Sequence, residues 1–410
     1  MKILNISALY PPNVIGGAEL AVHNLARQWA KDGHTVHALT LDKPNAEPSH
    51  GYIEGVHYVR LPLHNKYWPY GNEAKPGPVA RLLWHARDTN NASMSQEVVA
   101  NVLRIRPDVV LTNNLQGFST RVIQDVARLG FPVIHVAHDC SLICVRASLF
   151  KNNRHCATRC FDCAALTRPR RPHVAHARGV IAVSESVLKQ HRKYGLFNAT
   201  PSRVIGNALR SDLKPALRVV TDHQQPVSFG YMGRIEPAKG IETLLEAATR
   251  LKQKGSTFSL KIAGTGNQDY VAYLKERWAE ASAEYLGFCE PSSLYSTVNA
   301  IVFPSESYES FGTVIMEAYS QGLPVIATDC GGPAEIVWSS TGRLVPRGNP
   351  DRLADAMFEF VSLASTPHDA KHSKLQALGC NARQIAKAYN VEEKAAEYLG
   401  FIDSVLSKRT

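Results

Sequence analysis

The chain has 410 residues, of which 44% are hydrophobic and 20% charged, a composition that excludes a disordered or collagen-like protein. Its length exceeds one ordinary domain and predicts two domains of roughly 200 residues each. No apolar run approaches the roughly 20 residues that span a bilayer, and the first segment, MKILNISALYPP, lacks a small-residue cleavage site, so we interpret it as structure rather than as a signal peptide.

Charge is distributed unevenly along the chain, whose formal net charge is +10. Residues 1–210 hold 26 lysines and arginines against 13 aspartates and glutamates, whereas residues 211–410 hold 20 against 23. This asymmetry predicts a negatively charged partner for the first half alone. An anionic membrane surface, a phosphorylated acceptor and a nucleic acid fit this charge, and a solvated basic surface is the alternative.

The N-terminal segment predicts a strand, a loop and a helix. Residues 2–9 are apolar and strand-like, and residues 20–32 have the apolar spacing of a helix. Gly16 and Gly17 stand at the start of that helix, where glycines let backbone N–H groups approach a ligand closely. An ordinary turn is the alternative. Residues 43–80, rich in proline, glycine and aromatic residues, are predicted to be irregular.

The next segment predicts two more strands of a parallel sheet. A helix at 81–105 precedes a buried strand that ends in Asn113-Asn114, and a helix at 119–129 precedes the strand PVIHVAHDC. His138 closes that strand at its carboxyl end, where ligands bind in open α/β sheets. The residues alone leave both a structural and a functional histidine open.

An insertion at residues 140–172 contains four closely spaced cysteines. Cys144, Cys156, Cys160 and Cys163 have the pattern C-x11-C-x3-C-x2-C, and four thiolates suit tetrahedral Zn²⁺. Reduced free thiols and disulfides are the alternatives, and the lack of a secretory signal disfavours a disulfide framework. A structural zinc is therefore one of three interpretations of this cluster.

The second half, after a polar link at residues 211–226, carries two cations beside a strand end. Gly233 and Arg234 follow the strand VSFGYM, and Lys239 precedes the helix IETLLEAATRL. An arginine fork and a lysine point charge across a strand-to-helix loop suit a diphosphate. Surface pairing with Glu236 or with the glutamates of the helix is the alternative.

Residues 303–332 predict a strand, a loop, a helix and a second strand, which is the unit of a parallel sheet. Glu309 lies in the loop, and Glu317 lies just after the first helical turn. The backbone N–H groups at the helix start form an anion site. A nucleotide sugar fits this chemistry, with its diphosphate on the amides and its hydroxyls on the glutamates. A capped helix with two solvated acids is the alternative.

The clearest resemblance to a known family lies in the same stretch. Its Glu309-Ser310-Phe311-Gly312, Glu317-Ala318, Gly-Leu-Pro-Val-Ile and Gly-Gly segments closely resemble the Glu-x7-Glu signature of retaining nucleotide-sugar glycosyltransferases with the GT-B fold. This is the glycosyltransferase family 4 type, or glycosyl transferases group 1. The Gly-Arg…Lys-Gly element, the Ala-Gly-x-Gly turn at Gly264 and the base-binding turn at Phe288 extend the resemblance along nearly the whole chain.

The resemblance implies an α/β protein of two Rossmann-like parallel-sheet domains that face a central cleft. Residues 1–210 would form the acceptor domain, with the cysteine-rich insertion at 140–172, and residues 211–388 the nucleotide-sugar donor domain. A terminal helix at 389–410 would cross back to the first domain. The family usually has Asn-Gly after the strand at 202–205, whereas this chain has Gly206-Asn207, so no role is implied for Asn207.

The resemblance also implies the roles of single residues. Glu317 would bind ribose hydroxyls, Glu309 hexose hydroxyls near the 3-position, and His138 the transferred sugar. The catalytic set is then Glu309, His138, Arg234 and Lys239. The donor-binding set is Gly16, Gly17, Gly233, Arg234, Lys239, Gly264, Phe288, Glu309, Ser310, Phe311, Gly312, Thr313, Val314 and Glu317.

The expected reaction needs no metal, because no Asp-x-Asp motif is present and the two cations with helix-end amides can replace the ion. The resemblance implies a UDP- or GDP-sugar donor and a glycan or lipid-linked acceptor, with front-face attack that retains the anomeric configuration. It implies a role in polysaccharide or lipopolysaccharide biosynthesis in the cytoplasm, including a peripheral place on the cytoplasmic face of a membrane.

Three other functions fit parts of the sequence. A nucleotide-sugar 2-epimerase shares the GT-B fold, although the Glu-x7-Glu element argues against it. A catalytically silent GT-B module would keep the same pattern. A basic nucleic-acid-binding protein fits least, because no array of aromatic residues interleaves with the basic ones, and we expect no nucleic-acid partner.

Overall fold

The computed structural model describes residues 1–71, 76–209, 213, 226–366 and 373–407. Its internal contacts divide the chain into two units. The first comprises Met1–Leu149, Ala157–Arg210 and Val391–Thr410, and the second Phe150–Cys156 and Ser211–Asn390. The predicted polar link at 211–226 lies outside the described residues, except for Leu213 and Pro226. None of the described helices has the length and apolar character that a membrane span requires.

The first unit contains an eight-stranded sheet in the order β10-β9-β6-β5-β1-β2-β4-β3. Neighbouring strands are parallel, apart from the antiparallel hairpin of β3 and β4. The strands are β1 (Lys2–Ile6), β2 (Thr35–Asp42), β3 (Ser49–Ile53), β4 (Val56–Pro62), β5 (Val109–Thr112), β6 (Val133–Ala137), β9 (Gly179–Ala182) and β10 (Ser202–Val204). The short hairpin β7 (Phe150–Lys151) and β8 (Arg154–His155) groups with the second unit.

Helices of the first unit cover this sheet through apolar faces. They are α1 (Gly17–Lys31), α2 (Pro78–Thr89), α3 (Ala92–Ile105), α4 (Arg121–Arg128), α5 (Phe161–Thr167), α6 (Arg170–Val174), α7 (Glu185–Lys193) and the C-terminal α15 (Val391–Ser407). Helix α15 packs against α1, where the indole N–H of Trp29 donates to the carbonyl oxygen of Ala395 at 3.1 Å. Tyr398 and Phe401 of α15 belong to the core of the first unit.

The second unit is a doubly wound, six-stranded parallel sheet in the order β13-β12-β11-β14-β15-β16. Its strands are β11 (Val227–Met232), β12 (Phe258–Ala263), β13 (Glu284–Gly287), β14 (Ala300–Phe303), β15 (Val325–Thr328) and β16 (Gly342–Val345). Its α-helices are α8 (Ile241–Gln253), α9 (Gln268–Arg277), α10 (Pro291–Tyr295), α11 (Thr313–Ser320), α12 (Pro333–Ile336), α13 (Pro350–Ala364) and α14 (Lys374–Lys387), and short 3-10 helices span Pro237–Lys239 and Ala279–Ala281. The predicted parallel α/β sheets are thus confirmed in each unit.

Two predictions in the first unit are wrong. The segment predicted as irregular contains the β3–β4 hairpin, whose two-residue turn at Glu54-Gly55 has positive φ at both positions, as the favoured tight hairpin turns require. The helix predicted at 81–105 is two helices. The first ends at Thr89 with Asn90 as its C-cap, and Asn91 caps the second by accepting a hydrogen bond from the amide of Met94 at 3.3 Å.

Candidate active site

The loops that follow the strands of the second sheet interlock at its carboxyl edge. The amide of Gly264, after β12, donates to the carbonyl of Gly287, the last residue of β13, at 2.7 Å. The amide of Gly233, after β11, donates to the carbonyl of Ala263 at 3.1 Å. A Cβ atom on Gly264 would lie 1.8 Å from the carbonyl oxygen of Gly233. The sequence has glycine here because only a residue without a side chain permits this approach.

Lys239 and Glu309 form the charged centre of this edge. The Lys239 Nζ donates to Glu309 Oε1 at 2.6 Å, and the Ser305 hydroxyl donates to the same oxygen at 2.7 Å. The two loops are joined by their backbones as well, because the amides of Glu306 and Ser307 both donate to the carbonyl of Ala238. The structure therefore places a cation of the β11–α8 loop and a carboxylate of the β14–α11 loop in one ion pair.

Helix α11 begins beside this pair and has no side-chain cap. Gly312 precedes the helix with φ +100°, a left-handed conformation that favours glycine. Glu309 is held before it by its own backbone, whose amide donates to Cys330 and whose carbonyl accepts from Gly332, each at 2.8 Å. Thr313 and Val314, half-buried, form the first helical turn. The first amides of α11 carry the positive end of the helix dipole towards the Glu309 loop.

Glu317 lies in the second turn of α11 and is buried, with 6% of its surface exposed. Its Oε2 accepts a hydrogen bond from the Tyr295 hydroxyl at 3.0 Å. A solvated acid, the alternative left open by the sequence, does not describe this residue. Burial of a carboxylate costs free energy unless hydrogen bonds compensate it, so Tyr295 stabilises Glu317 in a fixed position.

The remaining donor-side residues lie nearer to the surface or support the loops. Arg234 is mostly exposed and pairs with Glu236 at 3.1 Å, as the surface-pairing alternative proposed. Its carbonyl accepts from the Tyr231 hydroxyl at 2.7 Å. Phe288 is exposed after β13, and Phe311 is buried before α11. The structure thus brings Lys239 to Glu309, while Arg234 has a different partner.

In the first unit, His138 is buried at the carboxyl end of β6, with one ring nitrogen bound to Asn113. The Asn113 amide nitrogen faces the oxygens of Asn5, Ile6 and Leu111, each at 3.5 Å, so its Oδ1 faces His138 Nε2 at 3.0 Å. The proton is therefore on Nε2, and Nδ1 is a hydrogen-bond acceptor.

The acceptor nitrogen of His138 has no partner within the part of the chain that the structure describes. Burial lowers the pKa of His138 to about 4, so the imidazole is neutral at neutral pH. The Asn207 side chain lies beside the ring and acts against that lowering. Sequence reasoning noted the Asn113-Asn114 strand end and the Asn207 position without a role for either. The only available signal was their place at strand ends.

Gly16 and Gly17 occupy the start of α1, as predicted, but a carboxylate uses the first amide. Glu19 Oε2 accepts from the Gly16 amide at 2.8 Å, and burial raises the pKa of Glu19. This helix start thus holds an acid from its own chain where a phosphate contact was predicted. The donor role of the two glycines stays a prediction.

Cys144 and Cys163, two of the four clustered cysteines, are in contact. The Cys163 thiol donates to Cys144 Sγ across 3.9 Å, both buried, and this bond lowers the pKa of Cys144 and raises that of Cys163. None of the eight cysteines, all of which lie in the described residues, forms a disulfide. Among the described residues, no three His, Cys, Asp or Glu side chains are grouped as a metal site. The structural zinc at Cys144, Cys156, Cys160 and Cys163 stays a prediction, which metal analysis of the purified protein would test.

The fold is that of GT-B glycosyltransferases. Sucrose-phosphate synthase from Thermosynechococcus elongatus superimposes with a TM-score of 0.75 over 100% of both chains, at 20% identity. Anabaena HepE, solved in complex with UDP, has a TM-score of 0.71 over 98% of this chain and 100% of its own, at 19% identity. These likenesses define the class of protein through its fold.

Two family models then match the chain one after the other. The glycosyl transferase 4-like domain matches residues 16–208, and the model of glycosyl transferases group 1 matches residues 216–376. The chain belongs to the group 1 glycosyltransferases of the family 4 type. An uncharacterised 42.6 kDa protein in the cps region of Klebsiella pneumoniae is 28% identical over 337 residues, which are 82% of this chain and 87% of that protein. The predicted family is confirmed.

Proposed function

We propose that the chain is a retaining hexosyltransferase that moves a hexose from a nucleotide-diphosphate sugar to a hydroxyl of a glycan, glycolipid or lipid-linked acceptor. The observation that carries this proposal is the Lys239–Glu309 pair at 2.6 Å beside the uncapped start of α11. A fixed cation, a fixed carboxylate and a helix N-terminus without a side-chain cap together suit a ligand that combines a diphosphate with sugar hydroxyls.

The donor diphosphate would bind Lys239 and the first amides of α11. Negative charge on the leaving diphosphate increases in the transition state, so a positioned cation stabilises the transition state more than the bound donor. Arg234 can join this clamp if it exchanges Glu236 for phosphate, since its side chain is mostly exposed. These cations supply the charge for which other transferases use a metal, so we propose metal-independent transfer. The UDP bound by the similar Anabaena protein supports this donor class.

Hydroxyl recognition falls to three residues in this proposal. Glu309, oriented by Lys239 and Ser305, accepts hydrogen bonds from the hexose. Glu317, fixed by Tyr295, accepts from the ribose. His138, neutral and with Nδ1 as an acceptor, takes a hydroxyl of the transferred sugar. A carboxylate that already serves Lys239 is suited to binding and poorly suited to removing a proton from an attacking group.

The reaction then proceeds on one face of the sugar. The bond between the anomeric carbon and the diphosphate oxygen breaks while the acceptor oxygen bonds to the same face. The acceptor proton passes to the departing diphosphate, which leaves as the nucleoside diphosphate. The anomeric configuration of the donor is thereby retained.

A donor screen tests this proposal. The purified protein is incubated with a panel of UDP- and GDP-hexoses, with and without a lipid extract and a glycan mixture, and nucleoside diphosphate release is measured in the presence of EDTA. We expect release from one donor that depends on the acceptor and persists with EDTA. Release without any acceptor, with epimerised free sugar, would instead identify a 2-epimerase.

A further inference from the structure

Helix α2 of the first unit has an apolar face that points to solvent. Val79, Leu82 and Leu83 are 71%, 54% and 45% exposed, and Ala86 is also exposed. Their spacing of i, i+3, i+4 and i+7 places these four side chains on one stripe of the helix. Single exposed leucines are ordinary on protein surfaces, but a stripe along one helix is not. We call these four residues the α2 stripe.

The opposite face of α2 already forms its contact with the rest of the unit. Trp84 is fully buried and its indole N–H donates to the carbonyl of Tyr67 at 3.0 Å. Asp88 is buried, accepts from the amide of Gly117 at 2.7 Å and lies 3.5 Å from Arg170. The face of α2 that packs on the unit is therefore the one with Trp84 and Asp88, and the α2 stripe is a separate apolar face.

The neighbouring helix α5 carries a further exposed apolar side chain. The Thr89 hydroxyl at the end of α2 donates to the carbonyl of Leu166 in α5 at 3.0 Å. Phe161, the first residue of α5, is 86% exposed. An exposed aromatic ring on a helix next to exposed leucines is typical of segments that insert at the boundary between lipid headgroups and acyl chains.

The charge around the α2 stripe is positive. Arg81 and Arg87 are exposed on α2, and the one acid of that helix, Asp88, is buried. Arg168 and Arg171, which follow α5, are exposed as well, against the single exposed acid Asp162 of α5. Neither arginine of α2 forms an ion pair within the described part of the chain. Each lysine or arginine near an anionic bilayer adds to the electrostatic attraction between the protein and the lipids.

We propose that the α2 stripe and Phe161 dock the protein on an anionic phospholipid surface, with the exposed Arg81 and Arg87 adding electrostatic attraction. A twelve-residue helix is about 18 Å long, and a stripe of four small and medium side chains offers less area than the roughly 1,000 Å² of a specific protein interface. Bilayer binding needs no such area, because it adds apolar insertion to attraction by anionic lipids. This proposal does not depend on the proposed enzymatic activity.

Vesicle sedimentation tests the docking surface with the full chain. The protein is spun with vesicles of phosphatidylcholine alone or with a third of phosphatidylglycerol, at low and high salt. We expect binding to the anionic vesicles that weakens with salt, and little binding to phosphatidylcholine. Leu82→Gln with Leu83→Gln should reduce the binding by about tenfold or more, since two apolar side chains lose their insertion. Arg81→Gln with Arg87→Gln should reduce it and flatten its salt dependence.

Matched controls distinguish binding through this surface from nonspecific binding through any exposed apolar side chain. Leu103→Gln, at an equally exposed leucine of α3, and Phe358→Gln, in the second unit, should bind vesicles as the unchanged protein does. All variants should keep the thermal midpoint, because the changed side chains are exposed. The proposal is overturned if the unchanged protein does not sediment with anionic vesicles. It is equally overturned if the double leucine variant binds these vesicles as strongly as the unchanged protein does. It is also overturned if ultracentrifugation shows a dimer that the double variant dissociates.

Discussion

The carboxyl edges of the two sheets use opposite chemistry. In the second unit the edge is charged and crowded, with Lys239 paired to Glu309 and glycine backbones in direct contact. In the first unit the buried side chains around His138 are neutral, and three polar atoms there have no partner among the described residues. These atoms are Asn5 Nδ2, His138 Nδ1 and Asn207 Oδ1.

The difference indicates which part of a ligand each edge suits. A fixed cation beside a helix start stabilises an anion. Neutral amide and imidazole groups stabilise hydroxyls, and a buried polar group without a partner costs about 1–3 kcal/mol until it finds one. We infer that the second edge has been selected for the diphosphate and the first for uncharged sugar or acceptor hydroxyls.

The close approach of the backbones at the second edge can be tested by adding a single methyl group. Gly264→Ala places a Cβ atom 1.8 Å from the Gly233 carbonyl at a φ of +140°, so we expect a loss of about 4 kcal/mol or more in the free energy of unfolding. The matched control is Gly287→Ala at the same edge, where φ is +68° and no atom lies within 4 Å. It should cost about 1–2 kcal/mol. Urea unfolding curves compare the two, and equal losses would refute the close approach.

The charge at the second edge is tested by removing its cation. Lys239→Ala should lower turnover by roughly 10²- to 10³-fold, the scale for one preorganised donor to developing charge, and Arg234→Ala should act in the same direction. Arg250→Ala, which breaks an exposed ion pair with Glu246 in the same unit, should leave turnover unchanged. Wild-type turnover in the Lys239 variant, measured as nucleoside diphosphate release, would remove Lys239 from the mechanism.

The neutral character of the first edge predicts acid sensitivity. Burial lowers the pKa of His138 to about 4, below the value of about 6.5 in an unfolded chain. The unfolded state therefore binds more protons between these values, and stability falls as the pH drops from about 6.5 towards 4, by roughly 3 kcal/mol for this residue. The free energy of unfolding of His138→Asn should depend less on pH over this window, whereas His176→Asn, at an exposed site, should not differ from the unchanged protein. An identical pH dependence in all three proteins would contradict the neutral imidazole.

Glu317 and Glu309 should differ in what their loss removes. Glu317→Ala should weaken nucleotide binding by about 1.5–3 kcal/mol, the scale for a lost charged hydrogen bond. Glu309→Ala should abolish most transfer and leave nucleotide binding largely intact, because the ribose contact belongs to Glu317 in this proposal. Calorimetric titration with the nucleoside diphosphate measures nucleotide binding by both variants, and nucleoside diphosphate release from the donor measures transfer. Tyr295→Phe is the control for positioning, since it removes only the hydroxyl that holds Glu317, and equal binding by all variants would refute the ribose assignment.

Much of the second edge could be predicted from local sequence. The strand, loop, helix and strand of 303–332 follow from apolar runs interrupted by Gly322 and Pro324, and the structure has β14, α11 and β15 there. The Glu309–Lys239 pair could not be predicted, because it joins residues 70 positions apart through two separate loops. Sequence spacing instead favoured Arg234 and Lys239 as a matched clamp, and the structure gives them different partners.

The first edge was less predictable because its chemistry depends on orientation. His138 could be placed at a strand end, but its tautomer is set by Asn113, whose amide direction is set by oxygens of β1 and β5. The β3–β4 hairpin was missed because its strands carry histidine, tyrosine and arginine in place of a clear apolar alternation. Its Glu54-Gly55 turn was the available signal.

The stereochemistry of the product distinguishes front-face transfer from a reaction that inverts the anomeric centre. With the donor identified by the screen, the product of a single transfer is analysed by proton NMR, and its anomeric coupling is compared with that of the donor. We predict retention, an α-linked product from an α-linked nucleotide sugar, because Glu309 is bound to Lys239 and Ser305 and serves as a hydroxyl acceptor. A product with an inverted anomeric centre would contradict this mechanism, even with the fold and the donor correctly assigned.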